Sequence, residues 1–392
     1  MPLGLYISVP FCRTKCSYCN FASDVFSKAV FNGYVDRLCS DLQNAAAIAE
    51  QMGGQFERAV DSIYFGGGTP TILDIVQLRQ LFVTISQNFQ VQQGAEITVE
   101  CAPGTLRPET LALLQVLDVN RVSLGVQSFV DKEAASVGRL HKRETVLTDI
   151  EQIRAAGVAE INIDLIAGLP HQSAETWKFS LEEAIACDAP HVSVYMLEVD
   201  EDSRLGRELI AGGTKYHAHH VPNEDLTADL YLMACDRLDQ AGIRQYEISN
   251  FARPGHESRH NLKYWRRKPY LGFGVDAHSM LRLAADGRQV VRFSSPVSLD
   301  QYVAGAALKR TQVHAHGGLE ESFFLGLRLT AGVDLEEVRG EFGSTAIASF
   351  ETTIRELIAA GLLEQQDEIL RLTPRGCLLS NEVFQRFIST SG

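Results

Sequence analysis

The chain of 392 residues holds no stretch approaching the roughly 20 consecutive apolar residues of a membrane span, so no transmembrane helix is expected. Its first residues, Met1 to Tyr6, show no charged n-region, no apolar h-region and no cleavage site, and the expectation is a cytoplasmic rather than a secreted protein. Basic residues are outnumbered, with 36 Lys and Arg against 49 Asp and Glu and a formal net charge of −13. Nucleic-acid binding leans on basic surface that replaces the counterions around phosphates, so RNA and DNA are not expected as partners. Arg266, Arg267 and Lys268 make a small local basic patch. The eight cysteines, in a long chain without an export signal, do not read as a disulfide framework. Cys39, Cys101, Cys187, Cys235 and Cys377 are scattered and read as small core residues. Cys12, Cys16 and Cys19 stand together near the start.

Short β-branched runs alternate with longer helical patterns over the first half. Strands are expected at Leu5 to Val9, Asp61 to Phe65, Glu96 to Glu100, Arg121 to Val126, Glu160 to Ile166 and His191 to Leu197, with helices between them. Such alternation predicts βα units and a parallel sheet. Several strands read as apolar on nearly every residue, as if both faces were covered. Six units are too few for an eight-fold barrel. The polar motifs sit at the C-terminal ends of the strands, which a barrel gathers around one mouth and an open sheet spreads along an edge. The expected fold is therefore α/β, a partial (β/α)6 TIM-like barrel over residues 1–210. Residues 211–310 read as a linking region, with a Gly- and His-rich loop at 211–223 and few periodic positions over 252–296. Residues 311–392 read as a smaller, mainly helical domain. Its helix–helix–helix–hairpin order resembles a winged helix, but its acidic surplus speaks against DNA, leaving packing or partner binding as its expected role.

The cysteine triplet is Cys12-Arg-Thr-Lys-Cys16-Ser-Tyr-Cys19. Soft thiolates select zinc, copper or iron–sulfur clusters. Structural zinc sites usually take paired C-x-x-C elements with four protein ligands. A cubane cluster needs one ligand per iron, so three cysteines leave one iron open to an exchangeable ligand. A three-cysteine zinc site completed by a distant histidine is the alternative reading.

The triplet resembles that of radical S-adenosylmethionine proteins. The run Gly66-Gly67-Gly68-Thr69-Pro70 follows the second strand, where glycines let backbone amides approach a ligand. It resembles the element that meets the amino group of the bound methionine moiety in that family. Glu100, Gln127, Arg139 and Asp164 lie in Ile-Thr-Val-Glu, Ser-Leu-Gly-Val-Gln-Ser, Gly-Arg-Leu-His and Asn-Ile-Asp-Leu-Ile-Ala-Gly-Leu-Pro. These segments are similar to those of the oxygen-independent coproporphyrinogen oxidase group, where the matching residues contact S-adenosylmethionine. The resemblance covers residues 3 to 390. It implies a 4Fe–4S cluster on Cys12, Cys16 and Cys19, with Tyr6, Tyr18, Gly67, Gly68, Thr69, Glu100, Gln127, Arg139 and Asp164 around S-adenosylmethionine. The chemistry agrees: Arg139 offers a planar fork for a carboxylate, and Glu100 or Asp164 suits ribose hydroxyls. Tyr18 suits packing on the adenine, and His141 suits orienting Arg139.

Two branches of that group share this framework. The oxidases carry a fourth cysteine two places after the third, and a long N-terminal extension. Here that position is Phe21, and eleven residues precede Cys12. The pattern C-x3-C-x2-C-x-F resembles the haem-chaperone branch instead. His260-Asn261-Leu262-Lys263-Tyr264-Trp265 resembles that branch's HNxxYW signature. The resemblance implies haem as cargo, with His260 as an axial ligand, Tyr264 and Trp265 against the porphyrin, and Arg259, Arg266 and Arg267 near its propionates. A buried His capping a loop is the structural alternative. The implied partners are haem and a haem-acceptor protein, with peripheral contact to a membrane acceptor compatible with the missing span. Oxidative decarboxylation of coproporphyrinogen III and radical modification of RNA are the competing functions. His217, His219 and His220, and His314 with His316, suit a metal or a solvated loop.

Overall fold

The computed structural model describes residues 1–284 and 289–389. Six strands, β1 (Leu3–Val9), β2 (Ala59–Gly67), β3 (Gln90–Cys101), β4 (Arg121–Gln127), β5 (Glu160–Ala167) and β6 (His191–Met196), pair in parallel in chain order. Helices including Phe31–Gln43, Ile75–Asn88, Pro108–Val116, Arg143–Ala155 and Ala174–Ala186 connect them. Local signals set their starts. Asp74 and Ser173 each close a capping box, at Ile75–Asn88 and Ala174–Ala186.

Both faces of the strands are largely buried, as expected, but the two faces differ in character. Leu5, Ile7, Ile63, Phe65, Val99, Val122, Leu124, Ile161, Ile163, Val192 and Val194 are buried in one core with the helices. The alternate positions Tyr6, Tyr64, Thr98, Ser123, Asn162, His191 and Ser193 fall on the other face. That face lines the barrel interior, and its polar groups pair with one another there.

The sheet continues beyond the six units. β7 (Arg244–Glu247) and β8 (Asn250–Ala252) follow β6, with β8 antiparallel to it. On the other side β9 (Tyr270–Phe273) pairs parallel with β1, followed by β10 (His278–Arg282), β11 (Val290–Ser294) and β12 (Lys309–Val313). The strand order has two ends, β12 and β7, so the barrel is open. The helix Arg259–Trp265 sits against the N-terminal ends of β1 to β3. Lys263 Nζ reaches Pro2 O at 3.0 Å and Asp61 at 2.7 Å, and Glu96 accepts the amides of Arg259 and His260 at 3.0 and 2.9 Å. Segment 252–296 looked aperiodic because strands of three to five residues are too short to show an alternation.

The C-terminal part has its own core, built on Phe323, Leu327, Leu335, Phe350, Leu357, Leu370 and Phe387. Helices Ala315–Gly326, Leu335–Phe342 and Glu351–Ala359 precede a hairpin of Leu363–Gln366 and Ile369–Leu372, to which Val333–Asp334 adds a third strand. Arg267 ties this part to the barrel. It is 4% exposed and pairs with Glu321 at 3.3 Å and Glu341 at 3.1 Å, while Arg292 holds Glu321 at 2.6 Å. Arg267 is therefore no part of a surface basic patch, because buried charges are held by partners. Among the described residues no helix is long and apolar enough to cross a membrane.

Candidate functional site

The three cysteines lie on the loop that leaves β1. A bridge between Phe11 and Asp24, with Cys12 N donating to Asp24 O at 3.0 Å, closes its base. Lys15 Nζ fills its inside, donating to the carbonyls of Phe21 and Ser23 at 2.7 and 2.5 Å. Ser17 N donates to Val137 O at 3.1 Å and Thr14 Oγ1 to Gly138 O at 3.1 Å, which pins the loop to the segment carrying Arg139. Cys12, Cys16 and Cys19 all carry free thiols. Among the described residues, no three of the side chains His, Cys, Asp or Glu converge on a point where one metal ion would sit.

The loop roofs a cavity of about 570 Å³ at the C-terminal ends of the strands. Cys12, Cys16, Tyr18, Cys19, Gly67, Gly68, Thr69, Glu100, Gln127, Arg139 and Asp164 all line it. Such a volume suits a small-molecule ligand. Gly67 has φ +98°, and Gly68 passes so close to the chain before Cys12 that a Cβ would stand 2.8 Å from the carbonyl oxygens of Val9 and Phe11. Gln127 takes φ +69°, unusual for a residue with a Cβ.

The polar side chains of the wall are unevenly satisfied. Arg139 Nη2 donates to Gly125 O and Nη1 faces Cys16 Sγ at 3.6 Å, while its Nε is buried without a partner. The Oε1 of Gln127 is likewise buried and unpaired. Buried polar atoms are almost always hydrogen-bonded, so two unpaired ones beside a cavity fit a ligand that completes them. Glu100 accepts from Tyr64 Oη at 2.7 Å, and burial, followed by the nearby Asp164 charge, pushes its pKa up to about 7. Asp164 is also raised, chiefly by burial, against the pull of Ser193, Ser123 and Asn162. Tyr18 packs with Val137, Ile166, Leu169 and Leu197, an apolar wall suited to a flat ring. His141 donates to Val126 O at 3.0 Å and is kept neutral, its pKa lowered to about 4 by burial and then by Arg139.

Two expected residues lie elsewhere. Tyr6 does not line the cavity; its ring stacks on Tyr64 at 6.1 Å, beneath the glycine run. His260 is 1% exposed and absent from the cavity wall. Its Nδ1 meets Ser62 Oγ at 3.0 Å and its Nε2 meets Tyr264 Oη at 2.7 Å. Burial lowers its pKa to about 3, so the imidazole is neutral. Tyr64 joins the two places, bonding Glu100 and stacking on His260 with ring centres 5.3 Å apart. Of the expected propionate partners, Arg266 is exposed, Arg259 donates to Gly94 O at 2.6 Å, and Arg267 is sequestered in the ion network described above.

Sequence reading missed the interior polar layer of Ser123, Asn162, His191 and Ser193 that holds Asp164. Its signal was present as polar residues at every second position of β5 and β6, Asn162 with Asp164 and His191 with Ser193. The mouth residues Ile248, Ser249, Arg328, Ser380 and Asn381 were also missed, because they come from distant parts of the chain.

Comparisons with known proteins place the chain in a family. Residues 6–184 match the family model of the Radical SAM superfamily, and residues 316–379 match that of the HemN C-terminal domain. The chain is 34% identical over 387 residues to the heme chaperone HemW of Bacillus subtilis, covering 98% of each protein. It is 31% identical over 394 residues to that of Escherichia coli, covering 99% of this chain and 98% of the relative. Among solved structures, the coproporphyrinogen III oxidase HemN of Escherichia coli, described as a radical SAM enzyme, superposes with a TM-score of 0.82. At 24% identity it covers 98% of this chain and 90% of its own, a likeness of fold.

Proposed function

The chain belongs to the HemW family of haem chaperones, and from that membership and its cavity we propose that it binds haem and passes it to an acceptor protein in the cytoplasm. In this reading Cys12, Cys16 and Cys19 hold a 4Fe–4S cluster, and the cavity beneath holds S-adenosylmethionine. Together these groups supply, when bound, reductive cleavage of the sulfonium. The chain's own residues bind and orient. Arg139, whose Nε has no partner, presents its fork to the methionine carboxylate. The backbone of Gly66 to Thr69 meets the amino group, and Glu100 and Asp164 accept from the ribose hydroxyls. Tyr18 lies along the adenine, and Tyr6 supports the glycine run from below. His260 is the proposed haem ligand, reached when its contact with Tyr264 opens.

The observation that carries the chaperone reading over the oxidase reading is Phe21. It is 68% exposed on the cavity rim, at the position where the oxidases carry their fourth cysteine. An anaerobically reconstituted sample, titrated with haem and assayed beside it with coproporphyrinogen III, tests the choice. The expected result is a saturable Soret band with no protoporphyrinogen formed. Protoporphyrinogen at enzymic rates would establish the oxidase instead. Salt-sensitive binding of tRNA by the same sample would favour RNA modification.

A further inference from the structure

We infer that His191 is a positioning residue, which through Asn162 fixes the carboxylate of Asp164 at the cavity wall and ties it to the start of the helix that carries His260. The inference rests on the reading of Asp164 as a contact of S-adenosylmethionine.

The strand register makes the arrangement possible. Ser123, Asn162 and His191 are aligned across β4, β5 and β6, and Gly125, Asp164 and Ser193 form the next such row. All face the barrel interior. Asn162 Nδ2 donates to Asp164 Oδ1 at 2.7 Å, and Ser123 Oγ donates to Asp164 Oδ2 at 3.0 Å, so both carboxylate oxygens have a partner.

Each further link has one allowed direction. Asn162 Oδ1 lies 2.6 Å from His191 Nδ1, and an amide oxygen can only accept, so Nδ1 carries the proton. His191 is 1% exposed, and its pKa lies well below 6.5, chiefly through burial, so the ring is neutral and Nε2 is bare. Nε2 then accepts from Tyr246 Oη at 2.9 Å. The Tyr246 oxygen accepts in turn from Ser258 N at 3.2 Å. Ser258 caps the helix Arg259–Trp265 and donates from Oγ to Glu96, which holds the amide of His260.

The function of His191 follows from what Asn162 would do without it. A flipped amide would turn its oxygen toward the Asp164 carboxylate, acceptor against acceptor. The His191 Nδ1–H holds the amide oxygen on the far side, together with Ser123 Oγ and Ser193 Oγ, which accept from Asn162 Nδ2 at 2.8 and 3.0 Å. Ser193 cannot replace it, because its one hydroxyl proton has a shorter bond to Asn250 Oδ1, 2.8 Å against 3.2 Å to Asn162 Oδ1. Buried polar chains of this kind fix one geometry when every member is satisfied.

The test is calorimetric titration of S-adenosylmethionine into cluster-loaded protein under anaerobic conditions. His191→Leu is expected to weaken binding about tenfold, the scale of one hydrogen bond serving a charged group, with iron content and the visible cluster spectrum unchanged. His191→Asn keeps an amide donor near the position of Nδ1 and restores affinity to within about threefold. In a double-mutant cycle, His191→Leu adds nothing to the loss already caused by Asp164→Asn, because one acts through the other. Additive losses overturn the inference. So does wild-type affinity in His191→Leu while Asp164→Asn is weakened. Wild-type affinity in Asp164→Asn overturns the assignment of Asp164 itself and the inference that rests on it. If His191→Leu does not fold, Tyr246→Phe removes one hydroxyl from the same chain. It is expected to weaken binding by about threefold, and no change in that variant overturns the inference.

Discussion

The hydroxyl of Tyr264 holds Nε2 of His260 at 2.7 Å, with the two rings perpendicular and their centres 5.1 Å apart. With Ser62 at Nδ1, both ring nitrogens are engaged. A haem iron that takes His260 through Nε2 must therefore displace Tyr264, and that exchange opposes binding.

The opposition is measurable. Tyr264→Phe removes the competing hydroxyl while keeping the ring against Tyr270, whose centre lies 4.6 Å away. Freeing one neutral hydrogen bond of about 1 kcal/mol should tighten haem binding roughly fivefold. His260→Ala should abolish the Soret shift in the same absorbance titration. An unchanged band in that variant would remove His260 as the ligand.

The cysteines divide by position. Iron and acid-labile sulfide, measured after anaerobic reconstitution, should collapse in Cys12→Ala, Cys16→Ala and Cys19→Ala. Cys187 is buried in the main core and Cys101 at its edge, bordering the cavity at the end of β3 rather than on the cluster loop, and the thiols of both are pushed up by burial. Cys101→Ala and Cys187→Ala should keep nearly full iron content and lose stability by about 1 kcal/mol from lost packing.

Gly68 joins the cluster loop to the cavity. Its amide donates to Val9 O at 2.9 Å, and Thr69 N donates to Phe11 O at 2.8 Å. An added Cβ would press on backbone atoms of Val9 and Phe11, which cannot rotate away. Gly68→Ala should lower thermal stability and weaken S-adenosylmethionine by at least about tenfold, as a strained close approach predicts. Gly33→Ala is the control. Nothing stands within 4 Å of its Cβ position, in the first turn of Phe31–Gln43, so the change should be neutral or stabilising by up to about 1 kcal/mol.

How much of this was legible follows from the range of each signal. Cys12 to Cys19, the run from Gly66 to Pro70, Glu100, Gln127 and Asp164 lie at or just beyond the C-terminal halves of strands, and a barrel gathers those ends, so local motifs sufficed for most of the cavity wall; Arg139 reaches it from the segment after the helix Asp131–Ser136, beside Gly125 and Cys16. His260 was legible as part of a motif, but its depth was not. That depth depends on Ser62 and Gly4, which lie about 200 or more positions away in sequence. Arg267 looked like surface charge because its partners, Glu321 and Glu341, belong to the other part of the chain. The β9 to β12 extension was hidden because each strand is too short for its period to show.

Glu100 supplies a pH dependence with a definite sign. Its pKa rises from 4.5 to about 7, through burial first and the neighbouring Asp164 charge next, against the lowering bond from Tyr64. The unfolded chain releases this proton near the ordinary value, while the folded chain keeps it until about pH 7. In that window the folded state binds more protons, so stability falls as pH rises. The contribution is complete below about pH 4.5 and gone above about pH 7. A shift of this size corresponds to about 1–3 kcal/mol, allowing for the water that the cavity admits. Glu100→Gln has no proton to lose. In thermal melts of the ligand-free protein, the stability gap of Glu100→Gln over wild type should be smallest near pH 4.5, widen through neutrality and level off above it. A gap that stays constant with pH would mean that Glu100 is already ionised in the folded chain, and that its carboxylate meets the ribose without first giving up a proton.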